Sequence, residues 1–388
     1  MVIANKNKQI YAQLMESAKK IGKIAEAEAY KADENATISH NVINVIVEEG
    51  INKLILPKEY GGPQIDFKTF SDMVKTVGYY NLSAAWLTYF FSVHNAWVAF
   101  LPKHRMDEIV YDSGLVADVF APVGKVEKCD GGFILSGTWN YVSGINYSEW
   151  ISLGARYQFD DEEEPESLGL CMKISELNVT EDWDSLGLRG TGSNTVSIEN
   201  VFVPDDMVIR FSKVAQNRKP LKLEVDEDYL YYNVPFYAAF YFGFASMCIG
   251  AAQRVLDEFK ARTANRVRTS GIEEQKKSRS QRILAKLTLK HKASEAMMKE
   301  YINMLNEDEG QYDPSIYHAL RVEIIRNCVD ISVEATLSLG ASALKSGNPV
   351  EMMMRDLIAI GTHVTSLYED GIEAFGKYLF GFKSYSRE

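Results

Sequence analysis

The hydrophobic period of this chain changes twice, from helical to extended and back, and that change limits what it can fold into. From residue 7 to about 112 the apolar residues recur at three and four, as in "IYAQLMESAKKIGKIAEAEAYKADEN" and "FKTFSDMVKTVGYYNLSAAWLTYFFSVHNAWVAFLP", which predicts helices. Pro and Gly in "LPKEYGGPQID" end one helix before the next begins. From about 115 to 212 the period falls to two in "GFILSGTWNYVSG", "EWISLGARYQF", "SLGLCMKI" and "NTVSIENVFVP", which predicts an antiparallel β unit of about seven strands. Helical patterns return at 229–265, 279–306, 314–345 and 350–379, lengths that suit a four-helix bundle. The fold class is α+β. It divides into an N-terminal α-helical domain at 1–114, a middle antiparallel β-barrel or sandwich domain at 115–225, and a C-terminal four-helix bundle at 226–388.

A net charge of -11 argues against a nucleic-acid binder, because phosphates are neutralised by gathered Lys and Arg. Cys129, Cys171, Cys248 and Cys328 are far apart and show no metal-ligand spacing, so no zinc site or disulfide framework is expected and a reducing cytoplasm is the simplest home. The N-terminus carries no signal-peptide pattern. Asn233 to Ala252 is about twenty uncharged residues, long enough to span a bilayer. It runs directly into the amphipathic "QRVLDEFKARTANR", so a buried bundle helix is expected and no membrane. The acidic run "DDEEEPE", Asp160 to Glu166, reads as a solvated hairpin loop.

Three stretches carry a resemblance: "WDSLGLRGTGSNTVSIENVFVPDDMV", "GAAQRVLDEFKARTANR" and "NPVEMMMRD". Together with the α, β, α order they resemble the acyl-CoA dehydrogenase superfamily over nearly the whole chain. The resemblance implies an acyl-CoA dehydrogenase-like fold, while fold alone leaves the chemistry open. The departures are informative. Where most dehydrogenases of that superfamily place the glutamate base, about eight residues after the Arg-Asp pair, this chain has "THV" with His363; Glu369 comes about a turn and a half later. The alternative base position on the first bundle helix is near Phe240, also apolar. The adenine-binding motifs are reduced to "RVRTSG" and "LSLGASAL", and the flavin loop to "FAPVGK".

The same departures resemble the superfamily's flavin-dependent monooxygenases, among them the oxygenase component of p-hydroxyphenylacetate hydroxylase, dibenzothiophene monooxygenase and the nitrososynthases. That resemblance implies a two-component oxygenase fed by a separate NAD(P)H:flavin reductase. It would oxygenate a small aromatic, heteroaromatic or amine substrate through a C4a-hydroperoxyflavin, with reduced FMN favoured, FAD possible, and a homotetramer as the assembly. By resemblance Ser143 would bond flavin N5, Trp139 would flank the flavin, and Arg266 would meet its phosphate. His363 would handle the proton of the oxygen adduct or of the substrate, and Trp86 and His94 would line the substrate pocket. An imidazole titrates near neutrality and serves in either direction of proton transfer. Each position has a plainer reading: a core histidine at His94 among Phe90, Phe91 and Trp97, a β-turn at Ser143 and Gly144, strand core at Trp139, a helix cap at Arg266. Two other functions stay open, an acyl-CoA or acyl-carrier dehydrogenase with a relocated base, and a non-catalytic scaffold.

Overall fold

A computed structural model describes residues 2–112, 114–160, 162, 164–211, 214, 229–267 and 270–384, with side chains from residue 8 onward. The boundary expected at 225/226, Asp161 and Glu163 of the acidic run, and Arg268 and Thr269 of "RVRTSG" lie outside the described residues. The chain opens with helices α1 (Val2–Ala27), α2 (Ala29–Glu34), α3 (His40–Glu48), α4 (Phe67–Tyr80), α5 (Leu82–Val93), α6 (Asn95–Val98) and α7 (Lys103–Asp112). Strands β1 (Val116–Cys129), β2 (Gly132–Val142), β3 (Trp150–Tyr157), β4 (Glu166–Lys173), β5 (Asn178–Thr180), β6 (Asn194–Pro204) and β7 (Val208–Arg210) follow. Then come α8 (Phe236–Asn265), α9 (Ser278–Glu307), α10 (Pro314–Leu339), α11 (Pro349–Gly361) and α12 (Tyr368–Leu379).

The seven strands lie in the order β5-β6-β2-β1-β3-β4-β7. One pairing departs from the all-antiparallel expectation. The first half of β1, Val116 to Val119, runs parallel to β3, and after an irregularity its second half pairs antiparallel with β2. Alternation reports which residues share a face and is silent on strand direction, so this pairing could not be read from the pattern. Glu166, placed by its composition in a solvated loop, opens β4 instead; its carboxylate accepts two hydrogen bonds from Arg210, at 2.6 and 2.7 Å.

α5 starts abruptly because Asn81 does two jobs. It is the single residue between α4 and α5, and its side-chain oxygen accepts the backbone N–H of Ala84 at 2.8 Å. Every residue of α5 is buried, as expected of a helix apolar on all sides. α4 lies so close to α8 that a Cβ at Gly250 would stand 2.0 Å from the Lys75 carbonyl oxygen, so only glycine fits there. α8 is long and apolar enough to cross a membrane, yet 89% of its most apolar window is buried inside the protein, as the bundle reading expects.

The last helical stretch, expected as one piece over 350–379, is two. α11 ends at Gly361, where the Thr362 hydroxyl donates to the Ala359 carbonyl at 2.9 Å, and α12 starts at Tyr368. His363 stands between them with extended backbone, φ -62 and ψ 139. The stretch expected over 314–345 likewise stops at Leu339, because Gly340 takes φ 80, a conformation that continues no helix. α11 is tied to the loop before β6 by Asp356, whose buried carboxyl accepts the Leu188 backbone N–H at 2.7 Å. Burial raises this carboxyl to about 7, against the pull of the Leu188 N–H and of Arg355. A raised acid favours the folded state fully below about pH 4 and loses that contribution as pH climbs through 7. Asp356→Asn, whose amide oxygen still accepts from Leu188, should therefore flatten the stability profile between pH 5 and 8. It should make the protein more stable than the parent at pH 8 by on the order of 2–4 kcal/mol, measured by urea unfolding.

Candidate active site

Trp86, Phe90 and His94 recur every four residues and so form one stripe along α5. Rings touch along it: Trp86 to Phe90 at 4.8 Å between centroids, Phe90 to His94 at 4.6 Å. At the Trp86 end two expected residues converge. The Trp86 indole N–H donates to the Ser143 hydroxyl at 3.0 Å, and the His363 ring lies edge-on to Trp86 at 5.4 Å and to Phe244 of α8 at 5.3 Å. The structure thus brings Trp86, Ser143 and His363 together from α5, the end of β2 and the break between α11 and α12.

Ser143 is held by a row of hydroxyls whose direction is forced. Thr191 Oγ1 donates to the Leu188 carbonyl at 2.8 Å, so its own oxygen accepts from Ser193, 2.6 Å away. The Ser193 proton is then committed, and Ser143, 2.8 Å from Ser193, must donate to it. Trp86 N–H can only donate. Ser143 Oγ is left with a lone pair to offer and no proton. Its place depends on Gly144, which takes φ 75 and whose Cβ would stand 2.9 Å from Phe91. Two residues earlier, Tyr141 holds φ 69 and is 72% exposed, edge-on to Trp183 at 6.0 Å. A non-glycine residue in this region is strained, and such strain gathers at functional sites. Tyr141 was not marked in the sequence, although an aromatic in the turn before Ser143 is a signal; Thr191 and Ser193 lie in the "LGLRGTGS" turn that carries the resemblance, where they read as structural loop residues.

His363 is half-buried, with the Trp86 and Phe244 rings packed edge-on against it. Its Nδ1 accepts the Thr365 backbone N–H at 3.3 Å, so the neutral ring carries its proton on Nε2, an N–H donor on the side away from Thr365. Burial, with the Arg321 guanidinium adding to it, lowers His363 to about 4. It is neutral across the physiological range. Arg321 itself is fully buried on α10, donating to the Thr365 carbonyl at 2.8 Å and lying 5.1 Å over the Tyr241 ring.

His94 lies two turns along the stripe. Its Nδ1–H donates to the Val116 carbonyl at 2.7 Å, which leaves Nε2 with a lone pair facing Asp118 Oδ2 at 3.2 Å. Burial lowers His94 to about 3 and lifts the Asp118 carboxyl well above the carboxylate range, the Trp97 indole opposing that rise. The two face each other as neutral groups, not as an ion pair.

Two expected cofactor residues lie elsewhere. Trp139 is inside the β unit, 1% exposed, its indole N–H donating to the Gly154 carbonyl at 2.9 Å. Arg266 caps the far end of α8, donating to the Leu339 carbonyl at 3.2 Å beside a cavity of about 600 Å³ that Arg262 and Arg279 also line. Twenty-two residues separate Phe244 from Arg266, about 33 Å of helix. Glu369, the nearest acid after His363, is exposed on the first turn of α12, and Phe240 is buried among rings.

Residues 242–366 match the family described as acyl-CoA dehydrogenase, C-terminal domain. In three dimensions the chain superposes on XiaF from Streptomyces sp., solved in complex with FADH2 and glycerol, with a TM-score of 0.90 at 22% identity over 100% of both chains. The chain has the acyl-CoA dehydrogenase fold. In sequence it is similar to hydroxylases and flavin-dependent monooxygenases. It is 26% identical to a pigment production hydroxylase of Rhodococcus sp. (strain ATCC 21145), covering 90% of this chain and 92% of the relative. It is 24% identical to the oxygenase component of p-hydroxyphenylacetate 3-hydroxylase of Acinetobacter baumannii, covering 91% and 85%. The acyl-CoA dehydrogenase fold accounts for the α, β, α order.

Proposed function

We infer that this chain is the oxygenase component of a two-component flavin-dependent monooxygenase, taking reduced flavin from a separate reductase and oxygenating a small aromatic, heteroaromatic or amine substrate. The observation that carries the reading is the polarity of the row from Trp86 to Leu188. N5 of a reduced flavin carries a proton and N5 of an oxidised one does not. An accepting lone pair on Ser143 matches the reduced form and offers nothing to the oxidised form. Reduced flavin, when bound, supplies two electrons to dioxygen. Beside it Ser143 would accept a hydrogen bond from N5–H, and the exposed Tyr141 ring would offer an apolar face. His363 Nε2–H would be the proton donor on the oxygen side, while the rings of Trp86, Phe90 and Phe244 would exclude water that diverts the reaction. FMN is favoured over FAD because the adenine-binding motifs of the dehydrogenase pattern are reduced to "RVRTSG" and "LSLGASAL".

Arg266 is assigned to the flavin phosphate. Lying about 33 Å of helix beyond Phe244, it would serve the flavin of a second copy, in a site shared across a homotetramer. The exposed apolar residues Leu337, Leu344, Phe380 and Phe382 support an assembly that covers them. The four cysteines are free thiols, which fits a cytoplasmic enzyme.

Anaerobic titration with oxidised and reduced FMN and FAD tests the reading. Reduced flavin should bind about tenfold or more tightly than oxidised flavin, since a buried hydrogen bond distinguishes them. Ser193→Ala frees the Ser143 proton to turn outward and should narrow that ratio, and Ser143→Ala should abolish it. Admitting oxygen with a panel of arenes should then yield oxygenated product. Purification with tightly held oxidised FAD that bleaches with an acyl thioester would overturn the proposal in favour of a dehydrogenase.

A further inference from the structure

The His94 end of the α5 stripe carries a group that the proposed chemistry does not use. Asp118 lies on the same face of β1 as Phe120, two residues on. Phe120 meets Phe240 of α8 at 5.2 Å, and Phe240 stacks parallel to the His94 ring at 6.0 Å. The Asp118 side chain is 9% exposed, and its Oδ2 lies 3.2 Å from the Nε2 of the His94 ring in this group. Among the described residues no Lys or Arg pairs with it; the titratable groups facing it are His94 and the buried Cys171 thiol of β4. A buried carboxyl without a cation is costly to ionise and is tolerated when it stays protonated or when a ligand brings the matching charge.

Resting on the oxygenase reading for the Trp86 end, we propose that Asp118 and His94 form the substrate-recognition end of the same site, and that they select an aromatic substrate bearing a hydrogen-bond donor without negative charge, best matched by an ammonium group. Trp86 and His94 lie about 12 Å apart along the helix axis. The arene lies against Phe90, with its position of attack toward Ser143 and His363 and its donor toward Asp118. In the resting protein one proton bridges the pair, Asp118 O–H to His94 Nε2. An arriving ammonium keeps its three protons and pairs with the Asp118 carboxylate, so the bridging proton leaves to solvent. An arriving hydroxyl donates to the second carboxyl oxygen and displaces no proton. A carboxylate finds only a second acid and the lone pair of His94 left by its bond to Val116. Cation attraction by the ring faces adds to the preference for ammonium.

The test uses three ligands that share one arene and chain length: 2-phenylethylamine, 2-phenylethanol and phenylacetate. Calorimetric titration of the full-length protein in two buffers of different ionisation enthalpy gives affinity and proton count together. The amine should bind about tenfold or more tightly than phenylacetate and release about one proton, while the alcohol releases none. Asp118→Asn should lower amine affinity by about tenfold or more, abolish the proton release and leave phenylacetate within about twofold. Asp118→Ser, smaller and uncharged, should do the same and guards against misfolding of a single variant. Phenylacetate binding as tightly as the amine, unchanged amine affinity in both variants, or no binding of any of the three would overturn the proposal. Reduced-flavin titration of the same preparations separates the two ideas. If flavin fails to bind, the oxygenase reading falls; if flavin binds while phenylacetate is preferred, only the assignment of Asp118 falls.

Discussion

His363→Ala should consume reduced flavin and oxygen at close to the parental rate while forming oxygenated product about 10²–10⁴-fold more slowly, the range expected when a positioned proton-transfer group is lost. Hydrogen peroxide should account for the difference, and a chromatographic product assay beside a peroxide assay reads both. The expectation follows from three features of the ring. It is wedged between Trp86 and Phe244, its Nδ1 is occupied by Thr365, and its proton is therefore on Nε2. With His363 lowered to about 4, the ring is neutral from pH 6 to 8, so this residue should impose no break in product yield across that range. His363→Asn, which retains an N–H donor of shorter reach, should recover part of the lost yield. Equal product yield in His363→Ala and parent would remove this residue from the chemistry.

Arg321→Ala should cost about 3–5 kcal/mol of folding stability, because it strips the partner from the Thr365 carbonyl and opens a cavity at a site with no exposure. The same change should raise the pKa of His363 toward its ordinary value near 6.5, since the guanidinium is one of the two causes that hold it down. Arg321 thus acts on the site through the Thr365 carbonyl and its own charge. Urea unfolding measures the first effect, and a proton-detected titration of the His363 ring the second. Arg321→Met fills more of the volume and should cost less stability while shifting the titration equally; the two effects separate in that variant.

How much of this was legible in the sequence differs from residue to residue. The stripe Trp86, Phe90, His94 was readable because helical spacing is a matter of counting, and α5 kept its period. His363 was found by its interval from Arg355 and Asp356, although the helix expected around it is broken; apolar spacing continues through residues 362–367 and hides the change of backbone. The parallel step between β1 and β3 had no signature. Asp118 could have been noticed as an acid between Val116 and Phe120 on one face of a strand, a polar interruption on an inward side. Thr191 and Ser193 sat in the turn that the resemblance singled out, but their link to Ser143, 50 residues earlier in the chain, is made by the fold and has no local signature.

The sharing of β1 between two half-sheets bears on how the protein is made. A β1–β2 hairpin can close as soon as it leaves the ribosome, while the half of β1 that carries Asp118 has no neighbour until β3 and then β4 are synthesised. Non-local pairing of this kind is slow. During that interval this half of β1 has no strand beside it, so Asp118 is fixed only after β3 is made, and the walls that Phe240, Phe244 and His363 supply come later still. Chains arrested in translation before Tyr157 should bind chaperones through this strand.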